Sequence, residues 1–250
     1  TLGTFLLCWL PFVALGWEHG VLPVLHRLFP VARGLYEDKV ANMWCTLSVV
    51  WKAKELYSTE QLLSLCLKIT LAGLLPLVRL LRTPTFPQLV RGLAVSSLSF
   101  FLFSFQVHEK SILLFVVPVL LLPVVSPSHD WWLLPYILLI CNFSMFPLLL
   151  KDGQLLPYLV SSLWMALLSL QWCKQAPHAL LCRILVMLSL VGVAVLHLAQ
   201  SLILPPPQYP DLFPYLISAF SCGHFFAFYM WFAASMWWRQ EHTLEKPKAQ

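Results

Sequence analysis

The sequence predicts an all-α polytopic membrane protein: about eight transmembrane helices and one long polar loop with re-entrant or interfacial helices. Three observations predict it. Hydrophobic residues make up 59% of the 250 positions and charged residues only 11%, where soluble domains carry about 45–50% and about 25%. Mean hydropathy is +0.77. The apolar residues also fall into runs close to the ~20 residues that a helix needs to cross a hydrocarbon core. With 16 basic and 11 acidic side chains in all, most surfaces must meet lipid or one another.

Taken in order, spans are read near 1–16, 61–78, 92–107, 111–126, 131–150, 155–172, 179–204 and 211–238. All should be helical, because backbone groups in lipid must pair within their own segment. Pro118, Pro123, Pro135 and Pro147 lie inside spans and predict kinks. The stretch 16–60 differs, since it holds Glu18, Arg27, Arg33, Glu37, Asp38, Lys39, Lys52, Lys54, Glu55 and Glu60. Its apolar run, about 40–51, is short for a crossing and reads as re-entrant. Residues 1–238 form a single transmembrane domain and 239–250 a tail. The chain opens at Thr1 already inside an apolar run, which reads as the C-terminal part of something longer.

Lysine and arginine in short loops set orientation. Arg79, Arg82 and Arg91, then Lys174 and Arg183, then Arg239, Lys246 and Lys248 fall on one side of an eight-span arrangement, the cytosolic one. The loop at about 16–60, the hairpin at 106–111, Lys151-Asp152-Gly153 and Pro205-Pro206-Pro207 then face the opposite side, the lumen. The tail ends Lys246-Pro247-Lys248-Ala249-Gln250, matching a dilysine signal that returns membrane proteins to the endoplasmic reticulum. That signal is read from the cytosol, where the loop charges also put the tail. The net charge of +5 suits basic cytosolic loops and gives no support for nucleic-acid binding.

Two polar clusters are the candidate sites, because charge at membrane depth is rare. One is Arg33-Gly34-Leu35-Tyr36-Glu37-Asp38-Lys39, followed by Val40-Ala41-Asn42-Met43-Trp44. The other is Gln106-Val107-His108-Glu109-Lys110-Ser111, squeezed between two apolar runs. His108, Lys110 and Arg33 can donate to phosphate oxygens. Glu37, Asp38 and Glu109 can hold those cations or accept sugar hydroxyls. Such a mixture at a membrane surface suits a lipid-linked phosphosugar, while a solvated loop rim and a capped interfacial hairpin are the plain alternatives. Lys68 reads as a snorkelling or ion-paired residue, and His197 and His224 as satisfied packing residues. Asn142-Phe143-Ser144 has a glycosylation pattern but lies within an apolar span. The seven scattered cysteines, with no CxxC, read as inert thiols. No nucleotide-phosphate loop, metal-ligand spacing or serine-nucleophile motif occurs.

At these clusters the chain resembles a known family. The run from Leu28 to Cys45, with Arg33-Gly34-Leu35-Tyr36-Glu37-Asp38-Lys39-Val40-Ala41-Asn42-Met43-Trp44 at its centre, resembles the long luminal loop of the dolichyl-phosphate-glucose-dependent α-1,3-glucosyltransferases of asparagine-linked glycan assembly. The run from Phe101 to Leu113, containing Gln106-Val107-His108-Glu109-Lys110-Ser111, resembles that family's second signature. Order and spacing also fit, and the Glu-Asp-Lys-Val-Ala-Asn-x-Trp form is similar to the enzyme that adds the first glucose. The enzyme adding the second glucose is the alternative within the family.

The resemblance implies the C-terminal part of a GT-C membrane fold with a luminal active site. It implies inverting transfer of glucose from dolichyl phosphate glucose to a dolichyl-diphosphate-linked nine-mannose oligosaccharide, with no metal and no cofactor. An inverting transfer needs a carboxylate base, which the resemblance places upstream of this chain, so Asp38 is not assigned that role. Arg33, His108 and Lys110 are expected at the donor phosphate, Glu37, Asp38 and Glu109 beside cations or sugar hydroxyls, and Lys39 among the substrate-binding residues. A membrane transporter and an inactive fragment are the rivals from other classes. For the resemblance to hold, both clusters must meet at one face.

Overall fold

The computed structural model describes residues 2–28, 35, 39–125, 133–173 and 180–238. In chain order the helices are α1 (Leu2–Ala14), α2 (Leu22–Leu28), α3 (Met43–Leu47), α4 (Ala53–Leu56), α5 (Thr59–Ala72), α6 (Val78–Arg82) and α7 (Phe86–Phe103). They continue as α8 (Leu113–Val119), α9 (Leu122–Val125), α10 (Leu134–Ser144), α11 (Phe146–Lys151), α12 (Leu155–Cys173), α13 (Leu180–Leu202) and α14 (Leu212–Trp238). Among the described residues, five stretches are long and apolar enough to cross a membrane: Thr59–Arg82, α7, Leu155–Trp172, Arg183–Leu202 and α14. There are six if α1 and the helix at Trp17–Arg27, bent 112° against it, form one span. The chain is a multi-pass helical membrane protein.

The expected spans at 111–126 and 131–150 are divided rather than kinked. Of the four prolines in these two spans, only Pro118 sits inside a helix, whereas Pro123, Pro135 and Pro147 lie in the first turns of α9, α10 and α11. A first-turn proline costs little, because the N–H it lacks would have no acceptor within the helix, and its fixed φ suits a helix start. So α8 stops at Val119 and α10 at Ser144, and each path restarts on a proline.

The core forms around α7 and α14. Leu98, Phe101 and Leu102 of α7 pack with Phe115 of α8, Ile137 and Phe143 of α10, and Ile217, Phe225 and Phe232 of α14. The Phe101 and Phe225 rings meet edge to face at 5.5 Å, and those of Phe103 and Tyr229 at 5.7 Å. In lipid the hydrophobic effect does not drive helices together, so small residues and hydrogen bonds matter more. The Tyr229 hydroxyl donates to the Gly73 carbonyl at 2.8 Å, Ser99 Oγ to the Thr70 carbonyl at 3.0 Å, and Gln88 Nε2 to the Met236 carbonyl at 3.2 Å. A Cβ at Gly73 would stand 2.3 Å from Ser99 Oγ, so glycine is what lets α5 and α7 approach there.

The outer helices α12 and α13 turn mostly apolar faces outward, and polar side chains tie them to α10 and α14. Asn142 Nδ2 donates to Ser161 Oγ at 3.0 Å and Ser162 Oγ at 2.8 Å. Tyr158 Oη and His197 Nε2 lie 2.6 Å apart, and His197 Nδ1 is 2.7 Å from the Val193 carbonyl. His224 Nε2 lies 2.9 Å from Ser189 Oγ, which also accepts from the Tyr136 hydroxyl. His197 and His224 are therefore satisfied packing residues, and the Asn142 amide is engaged within the bundle. Lys68 is exposed on α5.

Candidate functional site

The first cluster is anchored by a short helix. Asn42, fully buried, caps α3 by accepting the Cys45 N–H on its side-chain oxygen at 2.9 Å. The helix has five residues, about 7 Å of rise against a hydrocarbon core of about 30 Å. Its second residue, Trp44, is buried, and Nε1 donates to the Phe103 carbonyl at the end of α7 at 2.8 Å. Leu35, Trp44, Ala53, Leu62 and Cys66 form a separate small core with Phe105 packed against it. The Gln106 N–H donates to the Leu35 carbonyl at 3.0 Å. Residues from the middle of the first cluster and the start of the second thus share a hydrogen bond and a core.

The second cluster turns sharply after α7. Ser104 Oγ donates to the Phe100 carbonyl at 2.6 Å, and Gln106 has φ 59°, the left-handed region. His108 then caps the 3-10 turn Glu109–Ile112, its Nδ1 accepting the Lys110 N–H at 3.2 Å. An imidazole that accepts on Nδ1 carries its N–H on Nε2. The exposed ring therefore presents an N–H donor outward, which suits an anionic oxygen. Lys110 Nζ pairs with Asp152 at 3.7 Å, in the turn between α11 and α12, where Gly153 takes φ 70°. Lys39 Nζ pairs with Asp211 at 3.4 Å, one residue before α14.

Four loop regions therefore converge at one end of the bundle: Leu35 with 39–58, 104–112, 151–153 and the residues just before α14. Cys45 reports the same proximity. Burial pushes its thiol up to about 11, while the Lys39 ammonium pulls it down and Glu109 adds to the rise. A thiol with a raised pKa stays protonated below that value, and the thiolate is the nucleophile. Cys45 should therefore resist maleimide at pH 8 in intact membranes and label only after the protein is unfolded. Labelling at the rate of a free thiol would contradict this environment.

Of the expected site residues, Lys39, His108, Glu109 and Lys110 lie at this end of the bundle. Arg33, Glu37 and Asp38 lie outside the described residues. Asp152 and Asp211 were not among the sequence candidates. The only signal for Asp211 is that it is the single carboxylate in the sequence between Asp152 and Glu241. A groove of about 510 Å³ opens beside the hairpin between α7 and α8, lined by Leu93, Phe100, Gln106, Ser111, Leu114 and Val117 among others. Two serines that line it, Ser97 and Ser104, donate to backbone carbonyls, and most of the remaining lining is apolar.

Residues 1–231 match the ALG6, ALG8 glycosyltransferase family. The chain belongs to this family. Among similar proteins, the dolichyl pyrophosphate Man9GlcNAc2 alpha-1,3-glucosyltransferase of Gallus gallus is 39% identical over 275 residues, covering 98% of this chain and 52% of the relative. The probable enzyme of the same name from Drosophila melanogaster is 43% identical over 238 residues, covering 92% and 48%. The one from Dictyostelium discoideum is 38% identical over 258 residues, covering 93% and 48%. The chain spans about half the length of these curated relatives of the ALG6, ALG8 family.

Proposed function

We propose that this chain forms part of an α-1,3-glucosyltransferase that moves glucose from dolichyl phosphate glucose to the dolichyl-pyrophosphate-linked Man9GlcNAc2 oligosaccharide. The observation that carries the reading is the junction of the two clusters. The Leu35–Gln106 hydrogen bond and the Trp44–Phe103 hydrogen bond draw the segment carrying Lys39 to the hairpin carrying His108 and Lys110. The names of the relatives support a dolichyl-pyrophosphate-linked Man9GlcNAc2 acceptor, and the largely apolar groove beside the hairpin suits a lipid-linked donor.

In this reading His108 Nε2–H, Lys110 and Lys39, with Arg33, stabilise the dolichyl phosphate leaving group as the anomeric carbon–oxygen bond breaks. Donors aimed at developing charge, in a site poor in water, are usually the largest electrostatic contribution to catalysis. Glu37, Asp38 and Glu109 orient cations or sugar hydroxyls. The acceptor hydroxyl loses its proton to a carboxylate base, a role not assigned to any residue of this chain. The site faces the lumen of the endoplasmic reticulum and the C-terminus faces the cytosol, a reading supported by the loop charges and the Lys246 and Lys248 spacing.

The test uses the protein at its natural length in proteoliposomes, with labelled dolichyl phosphate glucose and lipid-linked Man9GlcNAc2. The expected product is the oligosaccharide enlarged by one glucose, with no transfer from a nucleotide sugar. Solute flux without glucose transfer would establish the transporter reading instead.

A further inference from the structure

We infer that α14 is the rail that positions Lys39 for the donor phosphate, with Asp211, Tyr215 and Ser218 as positioning residues. This rests on the functional reading above and gives a role to residues which that reading leaves unused.

Positions 211, 215, 218 and 222 advance by four, three and four residues, the spacing of one stripe along a helix. Each meets the same short segment. Asp211 pairs with the Lys39 ammonium at 3.4 Å, and Ser218 Oγ donates to the Lys39 carbonyl. The Tyr215 hydroxyl donates to the Thr46 carbonyl at 2.6 Å, and Cys222 Sγ lies 3.7 Å from Met43 Sδ. The stripe thus meets Lys39 at two positions, 211 and 218, and α3 at the other two, Thr46 from 215 and Met43 from 222.

Ser218 is fully buried, and a buried hydroxyl costs free energy unless it is bonded. Its bond to the Lys39 carbonyl therefore selects one seat for the backbone. Lysine has a flexible four-carbon stem, and ordering it at the moment of binding costs rotamer entropy. Holding the main chain through Ser218 and the ammonium through Asp211 removes part of that cost beforehand, which raises affinity without a new ligand contact. The Asp211 side chain is 64% exposed, so the pair contributes little stored stability. Its effect is on where the ammonium sits.

The experiment uses the protein at its natural length in native membranes. Asp211→Asn should raise the KM for dolichyl phosphate glucose roughly two- to five-fold, the range of one partly exposed ion pair, with kcat within about two-fold of wild type. Asp211→Glu should restore KM, and Ser218→Ala should raise it in the same direction. A merely structural role would lower the amount of active enzyme, and so kcat, at constant KM; that result overturns the inference, as does an unchanged donor KM in Asp211→Asn. Labelling of Lys39 by an amine-reactive reagent, read by mass spectrometry, needs no turnover. It should be faster in Asp211→Asn, and an unchanged rate overturns the ion pair itself. If the wild-type protein transfers no glucose, the functional reading fails, and the labelling rate still decides whether α14 holds Lys39.

Discussion

Replacing His108 with alanine should lower glucose transfer from dolichyl phosphate glucose by about 10²- to 10³-fold in kcat, the usual loss when one preorganised donor to a developing anion is removed. The tautomer sets this expectation. Nδ1 is occupied by the Lys110 N–H, so the Nε2–H is the group that faces outward. Alanine also removes a helix cap, a loss of about 1 kcal/mol, and instability could mimic the effect. His108→Asn separates the two, because asparagine caps well but is too short to carry a donor where Nε2 stands. The asparagine variant should match wild type in thermal stability and remain slow. A wild-type rate in His108→Ala would remove His108 from the site.

Trp44→Ala should be among the most disruptive single changes in the loop. The indole is 5% exposed, packs within the small core beside Leu35 and Leu62, and lies 6.1 Å from the Trp51 ring. Truncating a buried aromatic costs about 3–5 kcal/mol. The Phe103 carbonyl also loses its indole donor. Trp44→Phe keeps most of the packing but not that bond, and should lose about 1 kcal/mol. The ordering expected in a detergent melt is wild type, then phenylalanine, then alanine. Transfer activity should fall with alanine as the loop leaves the end of α7. A melting temperature unchanged by Trp44→Ala would show that the small core does not hold the loop.

Much of this architecture was legible from apolar run length, because a bilayer imposes a minimum on any crossing helix. The expected runs at 61–78, 155–172, 179–204 and 211–238 each coincide with a crossing-length helical stretch. The run at 92–107 overlaps α7 but is shifted, because α7 starts at Phe86 and ends at Phe103, with 104–107 in the turn into the hairpin. The divisions at 111–126 and 131–150 were not legible. A proline in an apolar run permits either a bend or a new start, and the packing of neighbours around Pro123 and Pro147 decides between them. The same limit applies at the site. Lys39, His108 and Lys110 stood out because charge is scarce in this sequence. Asp152 and Asp211 sit in ordinary-looking turns, and only tertiary contact gives them partners. The roles of His197 and His224 as packing residues followed from their apolar surroundings, but Tyr158 and Ser189 as their partners did not.

The seat of α3 and Lys39 on α14 has a consequence for biosynthesis. The Thr46–Tyr215 and Met43–Cys222 contacts join residues 169 and 179 positions apart, and ribosomes add about 5–20 residues per second. For roughly 10–30 s the loop is translated without the surface that will receive it. A nascent chain stopped before α14 holds every charged residue of both signatures but cannot dock the first onto its rail. Truncations that remove α14 should therefore abolish the proposed glucose transfer as thoroughly as lesions in the loop itself.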